Sequence, residues 1–314
     1  MKARELLSDL ELPARDLSEL PDSQKRFPDG AHYRVEIPSV EGPRVLEAVL
    51  DEAEKRGVQL HRVSQGSGIM LLTDVELLEM CAMAREASIE LSLFVGPRAS
   101  WETGATVVSG AGKVLGAQHR GQDQLAYALE DVLRGVNLGL RGALVADAGL
   151  LWVLRDLKAK GELPEDFVVK VSVQLAAANA AALKVMEDLG ADTYNVPTDL
   201  SLAQLAAMRA VCDLPLDVYV EVPDEFGGFV RHYEVPELVR VASPVFVKAG
   251  LRNAPNIYPS GTHLEATVVA LGRERVRRAE IALSMLERYY PEAKTTEKGA
   301  SFPGIPAAES EVSA

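Results

Sequence analysis

Strand-like runs recur along the chain with an even spacing. They begin near residues 32 (HYRVEIPS), 58 (VQLHRVSQ), 89 (IELSLFVG), 142 (GALVAD), 167 (FVVKVSVQ), 191 (ADTYNVPT), 216 (LDVYVEVP) and 244 (PVFVKAG), at intervals of 26, 31, 53, 25, 24, 25 and 28 residues. A helical apolar pattern fills each gap, as in PRVLEAVLDEAEKRG, TDVELLEMCAMAREA and ANAAALKVMEDLG. Thr73 with Glu76 and Thr262 with Glu265 read as capping boxes, and Gly57, Gly161 and Gly190 stand where helices should stop. Eight strand-then-helix units joined by right-handed crossovers close into an α/β fold of the (β/α)8 barrel type. An open doubly wound sheet is the alternative.

The 53-residue interval after strand three calls for an insertion near residues 97–120. Within it, GATVVSGAGKVLGAQ reads as a hairpin turning at Ser109-Gly110-Ala111-Gly112 and forming a flap over the barrel mouth. The barrel itself should occupy residues 28–291, between an N-terminal extension (1–27) and a flexible C-terminal tail (292–314) of small and polar residues without periodicity. The last helix, HLEATVVALGRERVRRAEIALSMLERYY, is amphipathic, with Gly272 marking a break, and its RERVRR cluster reads as a solvated face paired with nearby Glu rather than as a basic partner site; the sequence is compatible with a homo-oligomer.

Lys and Arg number 33 against 46 Asp and Glu, a net charge of −13, and 47% of residues are hydrophobic. Such acidity without a basic run speaks against a nucleic-acid partner. No apolar stretch approaches the roughly 20 residues that a bilayer span requires, and the acidic start lacks a signal-peptide core. A cytoplasmic protein with no membrane partner is expected. Cys81 and Cys212 both fall in helical apolar patterns, as core thiols do, and no metal-ligand spacing accompanies them.

In a barrel of this kind the chemistry gathers at the strand C-terminal ends, and strand alternation assigns the axial side chains. Parity places Arg34, Glu36, Arg62, Ser64, Ser92, Asp147, Lys170, Ser172, Gln174, Asn195, Tyr219, Glu221, Phe246 and Lys248 on the axis, and His61 toward the helices. Strand eight neighbours strands seven and one, so Lys248 should lie between Glu221 and Glu36. Glu36, Glu221 and Lys248 are thus the candidate catalytic residues, either carboxylate serving as acid or base. Arg62 would clamp an anion together with Lys248, and Ser64, Gln174, Asn195 and Arg252 are further candidate substrate contacts. A buried ion network with a structural role alone is the competing reading. A Schiff base at Lys248 or Lys170 is disfavoured, because flanking carboxylates raise an amine's pKa. No dedicated metal site or cofactor motif is present, although Mg or Mn could be held by the carboxylates with Asp147. The loop SQGSG, Ser64 to Gly68, could offer backbone N–H groups to an oxyanion, and Arg252, Asn253, Asn256 and Tyr258 follow strand eight. Neither GxSxG nor HExxH occurs.

The stretches VSVQLAAANAAALKVMEDLGADTYNVPTDLSLAQLAAMRA, FVKAGLRNAPNIYP and HRVSQGSGIMLLTDVEL resemble the peptidase U32 family, over roughly residues 30–290. The resemblance implies a barrel and, by the family name, a hydrolase. Some members are called collagenase-like peptidases, and others hydroxylate RNA or quinones with an iron–sulfur cluster held by four cysteines, where this chain has two. The expectation is therefore an enzyme acting on a small anionic or peptide-derived substrate. A metal-assisted lyase or aldolase on a small carboxylate or phosphate, and a non-catalytic binding or accessory barrel, are the alternatives.

Overall fold

The computed structural model describes residues 2–14, 19–102 and 116–308. Eight parallel strands close into one barrel in sequence order: β1 Tyr33–Pro38, β2 Arg62–Gln65, β3 Glu90–Phe94, β4 Gly142–Val145, β5 Val168–Val171, β6 Thr193–Asn195, β7 Leu216–Glu221 and β8 Val245–Ala249. The outer ring comprises α2 Pro43–Arg56, α3 Asp74–Glu86, α5 Gly121–Asn137, α6 Ala148–Ala159, α7 Ala180–Asp188, α8 Leu202–Arg209, α9 Val235–Ala242 and α10 Glu265–Tyr289. Two short helices, α1 Lys2–Asp9 and α4 Ala99–Glu102, are also present among the described residues. The expected (β/α)8 barrel is therefore the fold, and the hairpin expected at Ser109–Gly112 lies outside the described residues. No helix among the described residues is long and apolar enough to cross a membrane.

Strand parity sorts the side chains by burial partner. Val35, Ile37, Val63, Leu91, Val169 and Val247 turn outward and pack under the helices in one continuous apolar layer. The opposite faces converge on the axis, where Glu36 stands level with Arg62 of β2 and Lys248 of β8. Cys81 and Cys212 are buried thiols, and burial pushes that of Cys81 up to about 12.

Local signals mostly hold, with two corrections. Thr73 and Glu76 form a reciprocal capping box on α3, and Ser201 with Gln204 forms another on α8. Thr262 does not cap: Thr262–Leu264 form a 3-10 turn that runs directly into α10. Nor does α10 break at Gly272. The glycine lets α2 approach, since a Cβ there would stand 3.0 Å from a methyl of Val49. Of the basic residues beside it, Arg275 is buried, while Arg277 and Arg278 pair with Glu274 at 2.8 Å.

A further difference concerns the chain after residue 292. Instead of a mobile tail, the described residues up to 308 run along the N-terminal floor of the barrel. His32 N–H donates to Lys294 O at 2.7 Å, and Thr295 bridges Tyr33. Thr296 accepts from Arg34 Nε at 2.8 Å through its hydroxyl and from His61 Nε2 at 3.0 Å through its carbonyl. The Arg34 guanidinium lies 4.2 Å from the centroid of Phe27 and 4.0 Å from that of Phe302. The physical reason is that backbone donors and a charged side chain at the floor need partners, and these contacts impose no hydrophobic period on the sequence that supplies them.

Candidate functional site

The middle of the barrel is a layer of paired charges. Glu36 Oε2 accepts from Arg62 Nε at 2.8 Å, while Oε1 accepts from Ser64 Oγ at 2.6 Å and from Lys170 Nζ, with Lys248 Nζ 3.1 Å away. Arg62 also contacts Asp217 and lies 3.4 Å from Glu90, and its guanidinium stacks on the Phe246 ring at 3.4 Å. Lys170 reaches Asp217 at 3.4 Å, and Thr193 Oγ1 donates to the same carboxylate at 2.8 Å. Glu36, Arg62, Lys170 and Asp217 are wholly buried.

Burial alone would raise the Glu36 carboxyl, but Arg62, Lys170 and Lys248 together hold it well below the usual range. Burial, reinforced by Arg62, brings the Lys170 amine down to about 7 against the pull of Asp217 and Glu36. Burial raises Glu90 despite Arg62 and Lys170. A carboxylate so strongly depressed and so fully engaged makes a poor base near neutral pH. The geometry of Glu36 is that of an anchor for the cations around it.

Glu221 does not join this layer. A bulge at Val220 breaks the β7–β8 register between Tyr219, opposite Lys248, and Glu221, opposite Ala249. The shift turns Glu221 away from Lys248. Its carboxylate accepts from Arg252 N at 3.0 Å and lies 3.4 Å from His232 Nε2 and 3.7 Å from Arg278. The expected arrangement of Lys248 between two carboxylates is corrected accordingly, because a one-residue register slip reverses the face a side chain takes.

Above the charged layer, at the strand C-terminal ends, lies a cavity of about 190 Å³. Lys248, Ser64, Gln174 and Asn195 line it, together with Arg98, Trp101, Tyr219, Asn256 and Tyr258. Lys248 Nζ sits 4.4 Å from the centroid of the Tyr219 ring. Arg98 stacks on Phe94 at 3.7 Å and Trp101 at 4.4 Å, donates to Gly66 O, and carries a buried Nε without a partner among the described residues. Burial lowers the Arg98 guanidinium to about 10, still charged at neutral pH. Burial raises the hydroxyls of Tyr219 and Tyr258, so both stay protonated. Asn195 Oδ1 is likewise buried without a partner among the described residues.

The SQGSG loop is already occupied by a carboxylate of the chain. Glu41 accepts from the backbone N–H groups of Gly66 at 2.7 Å and Ser67 at 3.0 Å, which removes the donors expected for a bound oxyanion. Gly66 serves a different purpose: a Cβ there would meet the Tyr258 ring at 2.5 Å, so its absence lets Tyr258 fold over the mouth. A larger hollow of about 680 Å³ opens beside Gly57, Ser88 and Lys298 on the floor side. That end of the architecture serves stability rather than chemistry.

Of the residues singled out by sequence, Lys248, Ser64, Gln174 and Asn195 meet at the cavity, and Glu36 and Arg62 lie beneath it. Arg252 is half-exposed beside Asp224 at 3.6 Å and does not line it. Asp147 caps α6 through Leu150 N at 2.9 Å and accepts from His119 N at 3.1 Å. The carboxylates suggested for Mg or Mn are thus committed to three separate sets of partners, and no metal-holding cluster occurs among the described residues. Sequence reasoning missed Glu90 and Asp217, which strand parity could have supplied, and Arg98 and Trp101, which lie in the irregular segment after β3 where no alternation applies.

Residues 116–222 match the model of Peptidase family U32. The matched stretch runs from α5 through β7 and contributes Lys170, Asn195, Asp217 and Tyr219, whereas Lys248 and Arg98 lie outside it. The U32 peptidase Mk0906 is similar at 18% identity, with 62% of this chain and 70% of that chain covered and a TM-score of 0.40. A truncated 3-deoxy-D-arabino-heptulosonate 7-phosphate synthase from Thermotoga maritima is similar at 12% identity, with 85% and 91% covered and a TM-score of 0.45. Oxaloacetate acetylhydrolase in complex with the product oxalate is similar at 13% identity, with 69% and 75% covered and a TM-score of 0.44. No curated protein matches the chain.

Proposed function

We propose that this U32-type barrel is an enzyme acting on a small anionic or peptide-derived substrate held in the mouth cavity, with hydrolysis as the nominal reaction. The observation that carries the reading is Lys248, 1% exposed, anchored by Glu36 at 3.1 Å and lining the cavity floor in a chain whose net charge is −13. Arg98 adds a second cation at the same cavity against one carboxylate, Glu225, and the remaining walls are hydroxyl, amide, aromatic and aliphatic. A pocket with two cations to one carboxylate in an acidic protein concentrates small anions and sets their orientation. Its 190 Å³ equals about six water molecules, enough for a short carboxylate, a small phosphate or the carboxylate end of a dipeptide. Lys248 would meet the anionic or carbonyl oxygen, and the protonated hydroxyls of Tyr219 and Tyr258 could donate to an oxyanion as it forms.

Titration calorimetry with inorganic phosphate, small carboxylates and dipeptides tests the reading. Lys248→Met should weaken the best of these by about tenfold or more, the ordinary worth of a charge-assisted contact. Chromatography of the dipeptide mixtures reads turnover. Unchanged binding in Lys248→Met would refute the assignment and leave the charges as a structural network.

A further inference from the structure

We infer that the ligand of the mouth cavity is a carboxylate that also carries a hydroxyl or amino group, the carboxylate meeting Arg98 and Lys248 and the substituent meeting Asn195; this rests on the anionic reading above. Asn195 ends β6 and shares the inward face with Thr193, whose hydroxyl is spent on Asp217. Its side chain is 1% exposed and lines the cavity, and Oδ1 has no hydrogen-bond partner among the described residues. Buried amide oxygens are rarely left this way, because the lost hydration is not repaid. The cavity wall therefore presents an acceptor that an apolar ligand would leave unpaired.

Arg98 supplies the complementary observation. It is 8% exposed, stacked on Phe94 and Trp101, and bound to Gly66 O, yet its Nε–H has no acceptor among the described residues. Stacking fixes the plane of the guanidinium and leaves a flat edge, which a planar carboxylate matches. Lys248 gives the same anion a point charge from the floor. Cations and an orphan amide on one small cavity describe a ligand with two polar ends, and a site built on such contacts discriminates strongly against analogues that lack one of them.

Matched pairs separate this inference from the anionic reading beneath it. Titration calorimetry would compare lactate with propionate, malate with succinate, and alanine with propionate, on the wild type and on Asn195→Leu and Asn195→Ala. The substituted acid of at least one pair should bind the wild type about tenfold tighter than its plain partner. In either Asn195 variant that ratio should fall to about twofold or less, with the plain acid's affinity kept within about threefold. Equal affinities in the wild type, or a ratio that survives in both variants, would overturn the inference and leave an anion site intact. Failure of every acid to bind the wild type, or binding by inorganic phosphate alone, would overturn the carboxylate assignment, and an unaltered affinity in Lys248→Met would overturn the anionic reading itself.

Discussion

Two arginines stacked on aromatic rings stand at opposite ends of this barrel. At the floor, Arg34 packs against Phe27 and Phe302 while its Nε–H donates to Thr296 and its charge pairs with Asp29 at 3.6 Å. At the mouth, Arg98 packs against Phe94 and Trp101, but its Nε–H has no acceptor among the described residues. The two share a geometry and differ in satisfaction. A buried cation whose charge and Nε–H are both met within the chain holds the fold together, and one whose Nε–H is left open is available to a ligand. Between them lies the ion-paired layer of Glu36, Arg62, Lys170 and Asp217.

The most damaging change falls in the charged layer between the two ends. Arg62→Met should cost about 3–5 kcal/mol, because it strands Glu36, Asp217 and Glu90 in the interior. Urea denaturation measures it, and a loss below about 1 kcal/mol would show that the layer does not depend on its ion pairs.

Acid should act on the floor before the mouth. Burial holds His61 at about 4 in the folded chain, where its Nδ1 accepts from Val35 N–H at 3.0 Å. The folded pKa lies below the unfolded value, so the unfolded chain binds the proton first. Stability is full above about pH 6.5 and declines as pH falls toward 4, by about 3 kcal/mol from this group. Stability curves at pH 7 and pH 4.5 should show the decline, and His61→Gln should flatten it. An equally steep decline in the variant would assign the effect elsewhere.

The smallest effects discriminate most. Arg34→Leu should lower stability by about 2 kcal/mol while leaving anion affinity alone, since it frees a buried hydroxyl and unstacks two rings. Arg98→Leu should do the reverse, weakening anion binding about tenfold with a stability change within about 1 kcal/mol. Thermal melts and calorimetry on the two variants, side by side, would erase the distinction if both moved the same quantity.

What could be read from the sequence follows from periodicity. Strand spacing and alternation are imposed by the backbone, so the eight strands and the inward set of Glu36, Arg62, Ser64, Lys170, Asn195 and Lys248 were legible. Glu221 was misassigned because a bulge at Val220 adds one residue without a mark in composition. Arg98 escaped notice because the segment after β3 is irregular, and the floor segment escaped because Thr296 and Phe302 dock through contacts that leave no hydrophobic period. The barrel was thus largely visible, whereas half of its mouth depended on loops whose course only three dimensions reveal.

The pairing of Arg34 with Thr296, 262 positions further along, sets a timetable for the molecule's birth on the ribosome. Strand β1 leaves the exit tunnel long before β8, which closes the barrel beside it, and before the segment that seals the floor. Until then a charged side chain and the open edge of β1 wait without their native company. A nascent chain of this design is exposed to stray strand pairing throughout that interval, and its interior is complete only once both later pieces have emerged.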